Sequence, residues 1–352
     1  MLVETGDAMD FGALATCFTP MSDEVAANLA LRHYGLSGDI RRFATEKDDT
    51  FRITTADGAA YVLKIGNADE DRTELDMQVA LIGHLADSAD LPVPCVFPDL
   101  SGALISEMID PDGQTRLARL ITYLPGTVLD TTDSSAAERE RIGEVLARLR
   151  LAMADFSHPG AHRVVAWDVR HLAGLTDLME YVADPLQRAA LQAGLDRFLP
   201  LMPRVEALRR QVLHNDFSRS NLIVDHARPD FVTGIIDFGD AVHTAVAVDV
   251  STALLNQLPR DAAARGRDGD LFSEGRDLLR GYLTFADLTE EELRLIPHMV
   301  MGRVIARALL SIWRAALLPE NATYILRNTD QGWAQLDWFL ARSPEQVSDL
   351  FF

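Results

Sequence analysis

The chain has 352 residues, 48% of them hydrophobic, enough for about two domains with buried cores. Its 33 Lys and Arg against 53 Asp and Glu leave a formal charge of −20, which argues against nucleic acid and anionic membrane as partners and suits a small cationic substrate. Cys17 and Cys95 imply no disulfide framework and fit a reducing cytoplasm, and Glu4, Asp7 and Asp10 stand where a signal peptide would be basic and apolar.

Residues 1–20 lack periodicity and read as a flexible arm. Ser22 is placed to cap a helix through "DEVAANLALRHYG" that Gly35 closes. A strand pattern then runs through "IRRFATEKDDTFRITT", turns at Asp57-Gly58 and returns as "AAYVLKIG", a hairpin signal. Lys64 lies inside the apolar strand, where a lysine is costly unless something anionic meets it. The next segment, "DEDRTELDMQVALIGHLAD", places Leu75, Val79, Ile82 and Leu85 on one helix face. An acid of this helix is expected to pair with Lys64. Glu74 reaches furthest, with Asp76 and Glu70 as alternatives.

A proline-rich connection, "LPVPCVFPDLSG", leads to two further strands, "ALISEM" and "TRLARLITYLPG", the second broken at Pro125-Gly126. This last strand is expected to cross between two lobes, with backbone groups at Thr122, Tyr123 and Leu124 facing a flat heterocycle in an apolar cleft. From Ser134 onward the pattern is mostly helical, including "PLQRAALQAGLDRFLPLMPRVEALRR". The apolar stretch Met299–Leu317 is interrupted by Arg303, Arg307 and Arg314, which marks a buried or amphipathic helix and not a membrane span.

The segment Leu213–Asp240, "LHNDFSRSNLIVDHARPDFVTGIIDFGD", carries the chemistry. His214, Asp216 and Asn221 fall in one loop. Asp237, Phe238 and Gly239 follow two apolar β-rich runs, Asn221–Val224 and Val232–Asp237, joined by a turn containing Asp and Pro. His-x-Asp-x-x-x-x-Asn followed by Asp-Phe-Gly is the order and spacing of a kinase catalytic loop and metal-binding turn. Phosphoryl transfer needs a carboxylate at the attacking hydroxyl, and an amide oxygen with a second carboxylate for metal ions. These motifs call for an α+β, bilobal, protein-kinase-like fold. A small antiparallel-sheet N-lobe would span residues 21–124, and a large, mainly helical C-lobe residues 125–352.

With these residues in place, the chain resembles the aminoglycoside phosphotransferase and choline kinase superfamily of small-molecule kinases over about residues 22–345. It looks most like hydroxylysine kinases and the kinase domains fused to some class III aminotransferases. The segments "EKDDTF", "YVLKI", "LDMQVA", "LITYLPG", "LHNDFSRSNLIV" and "GIIDFGD" carry this likeness, with a looser match at "LPENATYILRNTDQGW". The resemblance implies Asp216 as catalytic base, Asn221 and Asp237 as Mg2+ ligands, Lys64 as phosphate ligand and ATP or GTP as donor. His214 would support the loop. Asp249 would be a structural acid of the helical lobe or an ordinary helix-capping one.

Two departures qualify the likeness. The nucleotide loop, Glu46-Lys47-Asp48-Asp49-Thr50, has no glycine and sets two acids beside a triphosphate, although Thr50 and nearby amides are still expected to meet phosphate. No long segment follows Asp237-Phe238-Gly239, which argues against a protein substrate. For the acceptor, Asp240, and Asp168 after Trp167, are candidates to hold an ammonium. Arg303 and Arg307, one helical turn apart, either grip a carboxylate or form ordinary ion pairs. The expected acceptor is a cationic or zwitterionic amino alcohol or hydroxy amino acid, 5-hydroxylysine first. Aminoglycoside, homoserine and choline-like acceptors are alternatives, and a nucleotide-binding pseudokinase is the non-enzymatic one.

Overall fold

A computed structural model describes residues 20–43, 45, 48–86, 91–326 and 329–352. Most of the expected N-terminal arm, together with Glu46 and Lys47 of the nucleotide loop, lies outside the described residues.

The first helix, α1 (Asp23–Tyr34), starts where the Ser22 side chain accepts from the Val25 N–H, and stops at Gly35 in the left-handed conformation. A six-stranded antiparallel sheet follows: β1 (Gly38–Arg42), β2 (Asp49–Thr55), β3 (Ala60–Ile65), β4 (Val96–Phe97), β5 (Ser106–Ile109) and β6 (Thr115–Thr122). Its order is β1-β2-β3-β6-β4, with β5 also on β6. The stretch from Ile40 to Thr55, read from sequence as a strand pattern with the nucleotide loop at residues 46–50, is a hairpin in which Arg42 pairs with Phe51. The chain reverses where the Thr45 hydroxyl donates to the Asp48 carbonyl and the Phe43 N–H donates to Thr50 O over 2.8 Å.

Helix α2 (Arg72–Ala86) buries Leu75 and Val79 against Ile105 of the small lobe. On its other side Met77, Leu81, Ile82 and Leu85 enter the core of the large lobe. It is therefore the apolar tie between the two. Gly126, at φ 145°, lets the linker run tightly over the large lobe, since a Cβ there would lie 2.5 Å from Ile223 Cγ2. The next residues form β7 (Thr127–Val128).

The large lobe contains α3 (Ala136–Ala152), α4 (Pro185–Phe198), α5 (Met202–Glu206), α6 (Val246–Asn256), α7 (Ala262–Arg265) and α8 (Ser273–Tyr282). It ends in α9 (Glu290–Leu317), α10 (Ala322–Ile325), α11 (Thr329–Leu340) and α12 (Pro344–Ser348). The long helix expected from residue 185 to 210 is broken after Phe198. Pro200 and Pro203 lack the N–H that would continue it, and a short 3-10 turn and α5 take its place. The segment Val169–Tyr181 is 3-10 helix. Helix α9 alone among the described residues is long and apolar enough to cross a membrane, but 78% of its apolar window is buried inside the protein.

Three short strand pairings place the chemistry. β8 (Arg210–Leu213) pairs with β11 (Val242–Ala245), with Leu213 opposite Val242. β9 (Leu222–Val224) pairs with β10 (Val232–Ile235) and with β7, tying the linker to this hairpin. The loop after β8 and the turn before β11 are thereby held side by side. The architecture is the α+β, two-lobed one expected, with a small sheet lobe ahead of a large helical lobe.

Candidate active site

Asn221 and Asp237 come together because the Ile236 N–H donates to the Asn221 carbonyl over 2.9 Å. Asn221 Nδ2 donates to Oδ2 of Asp216 over 2.6 Å and to the Asp216 carbonyl over 3.0 Å. One amide thus orients the carboxylate and leaves its own Oδ1 for another partner. Burial raises the Asp216 pKa to about 7. Asp240 and Asp237 add to the rise, against Arg303 and the Asn221 bond. A carboxylate that titrates near neutrality inside a cleft suits a proton acceptor.

His214 is fully buried, and burial lowers its pKa. Its Nδ1 accepts the Asp216 N–H over 3.3 Å and its Nε2 lies 3.2 Å from the Ile236 carbonyl. Those two bonds define a neutral ring with the proton on Nε2. His214 therefore joins the loop to the turn through backbone bonds, the supporting part expected for it. Asp249 braces the same loop: its Oδ1 accepts the Asn215 N–H over 2.7 Å, which holds Asn215 at φ 60°. Asp237 is likewise left-handed, at φ 62°, and its side chain accepts from the Gly239 N–H. Side chains rarely adopt this backbone conformation, and its strain is characteristic of functional sites.

Lys64 spans the cleft. Its Nζ lies 3.5 Å from Asp237 Oδ1 and 3.3 Å from Asp48 Oδ2. Burial alone would lower the Lys64 pKa, but Asp237 and Asp48 outweigh it and hold the ammonium above its ordinary value. The expected Glu74–Lys64 pair is corrected here. Arg163 bonds the Glu74 carboxylate and also donates to the Gly239 and Ala241 carbonyls, so Glu74 is drawn to the turn after Asp237. Asp76 lies with Arg72 at 3.8 Å. Glu70, which lies ahead of α2 and not in it, is the acid of the three whose charge acts with that of Lys64, although it lies beside Arg119 at 3.8 Å.

The two acids of the glycine-free loop part company. Asp49 turns inward to Arg42 and Arg116, and Asp48 turns to Lys64. Thr50 is buried, and its hydroxyl donates to Asp48 Oδ1 over 2.8 Å, so it is not open to a ligand as expected. In the linker, the Thr122 N–H donates to Cys95 O and the Tyr123 N–H to Ala60 O. Of the three linker residues expected to face a base, Leu124 keeps an N–H with no partner among the described residues.

On the acceptor side, Arg303 is buried, donates to the Trp167 carbonyl and lies over the Trp167 ring at 5.8 Å. Burial lowers its pKa while the charges of Asp216 and Asp240 act to raise it. Arg307 bonds Gln335 Oε1 over 2.7 Å, and burial together with Arg303 brings its pKa to about 10. Asp168, expected to hold an ammonium, is fully buried. Arg170 grips its Oδ2 at 2.7 and 3.0 Å and gives its N–H to Oδ1, so Asp168 is an internal brace. Sequence reasoning missed Arg163 altogether. Its partners are distant in the chain, and "HRVV" carries no motif.

Known proteins resemble this chain in sequence and in fold. Mouse hydroxylysine kinase is 24% identical over 89% of this chain and 87% of its own length. Homoserine kinase of Agrobacterium fabrum is 27% identical over 73% of this chain and 74% of its own. Among solved structures, amicoumacin kinase hAmiN in complex with AMP-PNP, Ca2+ and Ami superposes with a TM-score of 0.66, at 17% identity and 94% coverage of both chains. The sequence pattern of the phosphotransferase enzyme family matches residues 39–283, well over half of the chain, so the protein belongs to that family and is a small-molecule kinase acting on a hydroxyl group.

Proposed function

We propose that the protein transfers the γ-phosphoryl group of ATP or GTP to the hydroxyl of an amino alcohol or hydroxy amino acid in the cytoplasm, with 5-hydroxylysine as the acceptor that fits best. One observation carries the choice of acceptor: Arg303 shares its field with both Asp216 and Asp240. A zwitterion matches that pairing of charges, its carboxylate meeting Arg303 and Arg307 and its ammonium meeting Asp240, with the Trp167 ring alongside. Hydroxylysine kinase and homoserine kinase, the relatives above, are named for acceptors of this class.

In this reading Asp216 orients the attacking hydroxyl and takes its proton through Oδ1, because Asn221 occupies Oδ2. Lys64 leaves Asp48 to meet the α- and β-phosphates, and the Leu124 N–H meets the edge of the base. The Asn221 amide oxygen and the Asp237 carboxylate are hard oxygen donors suited to Mg2+. Among the described residues no cluster of three or more His, Cys, Asp or Glu side chains forms a protein cage for a metal. A site built from one carboxylate, one amide and the nucleotide's own oxygens is the kind Mg2+ favours. Bound there, the ion would neutralise charge on the phosphates. Transfer is direct, from donor to acceptor, since positioning and charge account for the site.

The test is a coupled nucleotide-consumption screen with Mg2+ across 5-hydroxylysine, homoserine, small amino alcohols, choline and aminoglycosides. Turnover of 5-hydroxylysine with the highest kcat/KM is expected. If a sugar antibiotic turns over while amino alcohols and hydroxy amino acids all fail, the acceptor class is wrong. A phosphorylated chain trapped during turnover would contradict direct transfer.

A further inference from the structure

We propose that a second cleft, built around Arg219 of the catalytic loop, binds a small oxyanion, a carboxylate or a phosphate. Arg219 stands between Asp216 and Asn221 in sequence, yet the charges that act on its side chain are those of Arg260, Asp130, Glu274 and Asp133, a different set from those around Asp216. The residue is only 7% exposed. Its Nε is sealed from solvent without a partner. Among the described residues no acceptor lies within hydrogen-bonding distance of the guanidinium, and no carboxylate lies close enough for an ion pair. Its two terminal nitrogens are not sealed, so the unpaired end of the guanidinium opens onto the cleft, where an anion can meet it.

The remainder of the cleft does not supply the missing anion. Of the other arginines there, Arg139 is held by Asp277 at 2.7 and 3.0 Å and Arg260 by Asp130 at 3.3 Å. Two of the acids, Asp261 and Glu274, are engaged by Arg265 at 2.6 and 3.5 Å. Asp133 is exposed. Arg219 is thus the one cation of the lining without an acid. The cleft encloses about 250 Å³, room for a phosphate or a small organic acid. The planar fork of a guanidinium matches two oxygens of either. An anion seated there braces the turn Arg219–Asn221, and with it the amide that orients Asp216. The site therefore acts on the catalytic loop from outside the phosphoryl-transfer cleft.

The experiment is thermal unfolding of the full chain in inorganic phosphate or acetate, against sodium chloride of equal ionic strength. It compares wild type, Arg219→Met, Arg219→Gln and Lys64→Ala. Phosphate or acetate is expected to raise the unfolding midpoint of wild type and Lys64→Ala in a saturable way, and the two Arg219 variants are expected to lose the shift. The anion with the lower half-saturation identifies the natural ligand's class. In chloride alone, Arg219→Met is expected to melt no lower than wild type, because it keeps the buried stem and removes a sealed Nε and a charge that no acid pairs with. Should Arg219→Met not fold, Arg219→Gln reports the same loss. A shift that persists in both Arg219 variants, or disappears in Lys64→Ala, assigns the anion to the triphosphate cleft and overturns the proposal. So does the absence of any shift, or an Arg219→Met that melts lower in chloride, which makes the arginine structural.

Discussion

Lys64 Nζ lies 3.5 Å from Oδ1 of Asp237, joining two residues 173 positions apart and, with them, the small lobe to the large one. In the proposed reading the pair sets the phosphate-binding cation directly beside the metal-binding carboxylate. Lys64→Ala is expected to lower kcat/KM for the nucleotide by roughly 10²–10³-fold, as loss of one preorganised charge-stabilising donor does. Asp237→Ala should lower kcat and raise the Mg2+ concentration needed for half-maximal rate. The double variant should lose less than the product of the two single losses, because the residues act as a unit. Steady-state kinetics at varied nucleotide and Mg2+ check all three.

Asp48 makes the opposite prediction. Its Oδ2 lies 3.3 Å from Lys64 Nζ, so in the proposed reading it would compete with phosphate for the lysine. Asp48→Asn keeps a partner for the Thr50 hydroxyl and removes the charge. It should lower the KM for nucleotide about three- to tenfold, the value of an ion pair worth about 1 kcal/mol. A rise in KM would mean that Asp48 helps hold the metal–nucleotide complex.

Protonation of Asp216 should govern the rate near neutrality. With its pKa raised to about 7, kcat/KM is expected to climb as pH rises through that value, and Asp216→Asn should lower kcat by roughly 10²–10⁴-fold while nucleotide binding survives. The same shift costs stability. Asp216 and Asp249 titrate at about 7 and about 6 in the folded chain, against an ordinary value of 3.8, so the native state holds their protons more tightly than the unfolded one. Their stabilising contribution is complete below pH 3.8 and is lost as pH rises through 6 and 7. Asp216→Asn and Asp249→Asn should each gain stability relative to wild type at pH 8 compared with pH 5, measured by urea unfolding at both values.

How far the sequence could be read depended on distance along the chain. The hairpin Leu222–Ile235 and the turn at Asp57-Gly58 were legible because alternation, turn residues and spacing are local properties. So was the juxtaposition of Asn221 and Asp237, which one hairpin enforces. Ion-pair partners were not. Glu74 meets Arg163, 89 residues later, and nothing in the helix pattern distinguishes a carboxylate aimed at β3 from one aimed at the turn after Asp237. The Asp168–Arg170 pair was local and open to inspection, but a fully buried acid cannot be told from an exposed one without knowing the surrounding core. Pro200 and Pro203 were visible helix breakers that the apolar periodicity of residues 185–210 obscured.

The acceptor reading can be tested one functional group at a time. Arg307 is a cation without an acidic partner among the described residues, bonded only to Gln335, and Arg303 stands one turn away, its charge acting with that of Asp216. If these arginines receive the acceptor's carboxylate, Arg307→Met should raise the KM for a hydroxy amino acid about 10–100-fold, the value of a charged hydrogen bond of about 1.5–3 kcal/mol. The KM for the matching amino alcohol, which lacks the carboxylate, should hardly change, and neither should the KM for nucleotide. Arg303→Met should do the same to the amino acid but also depress kcat, since it removes a positive charge that opposes Asp240 and Asp237 at Asp216. Equal losses for the acid and its decarboxylated counterpart would mean that Arg307 supports the packing of α9 against α11 and that the carboxylate, if the acceptor has one, is held elsewhere.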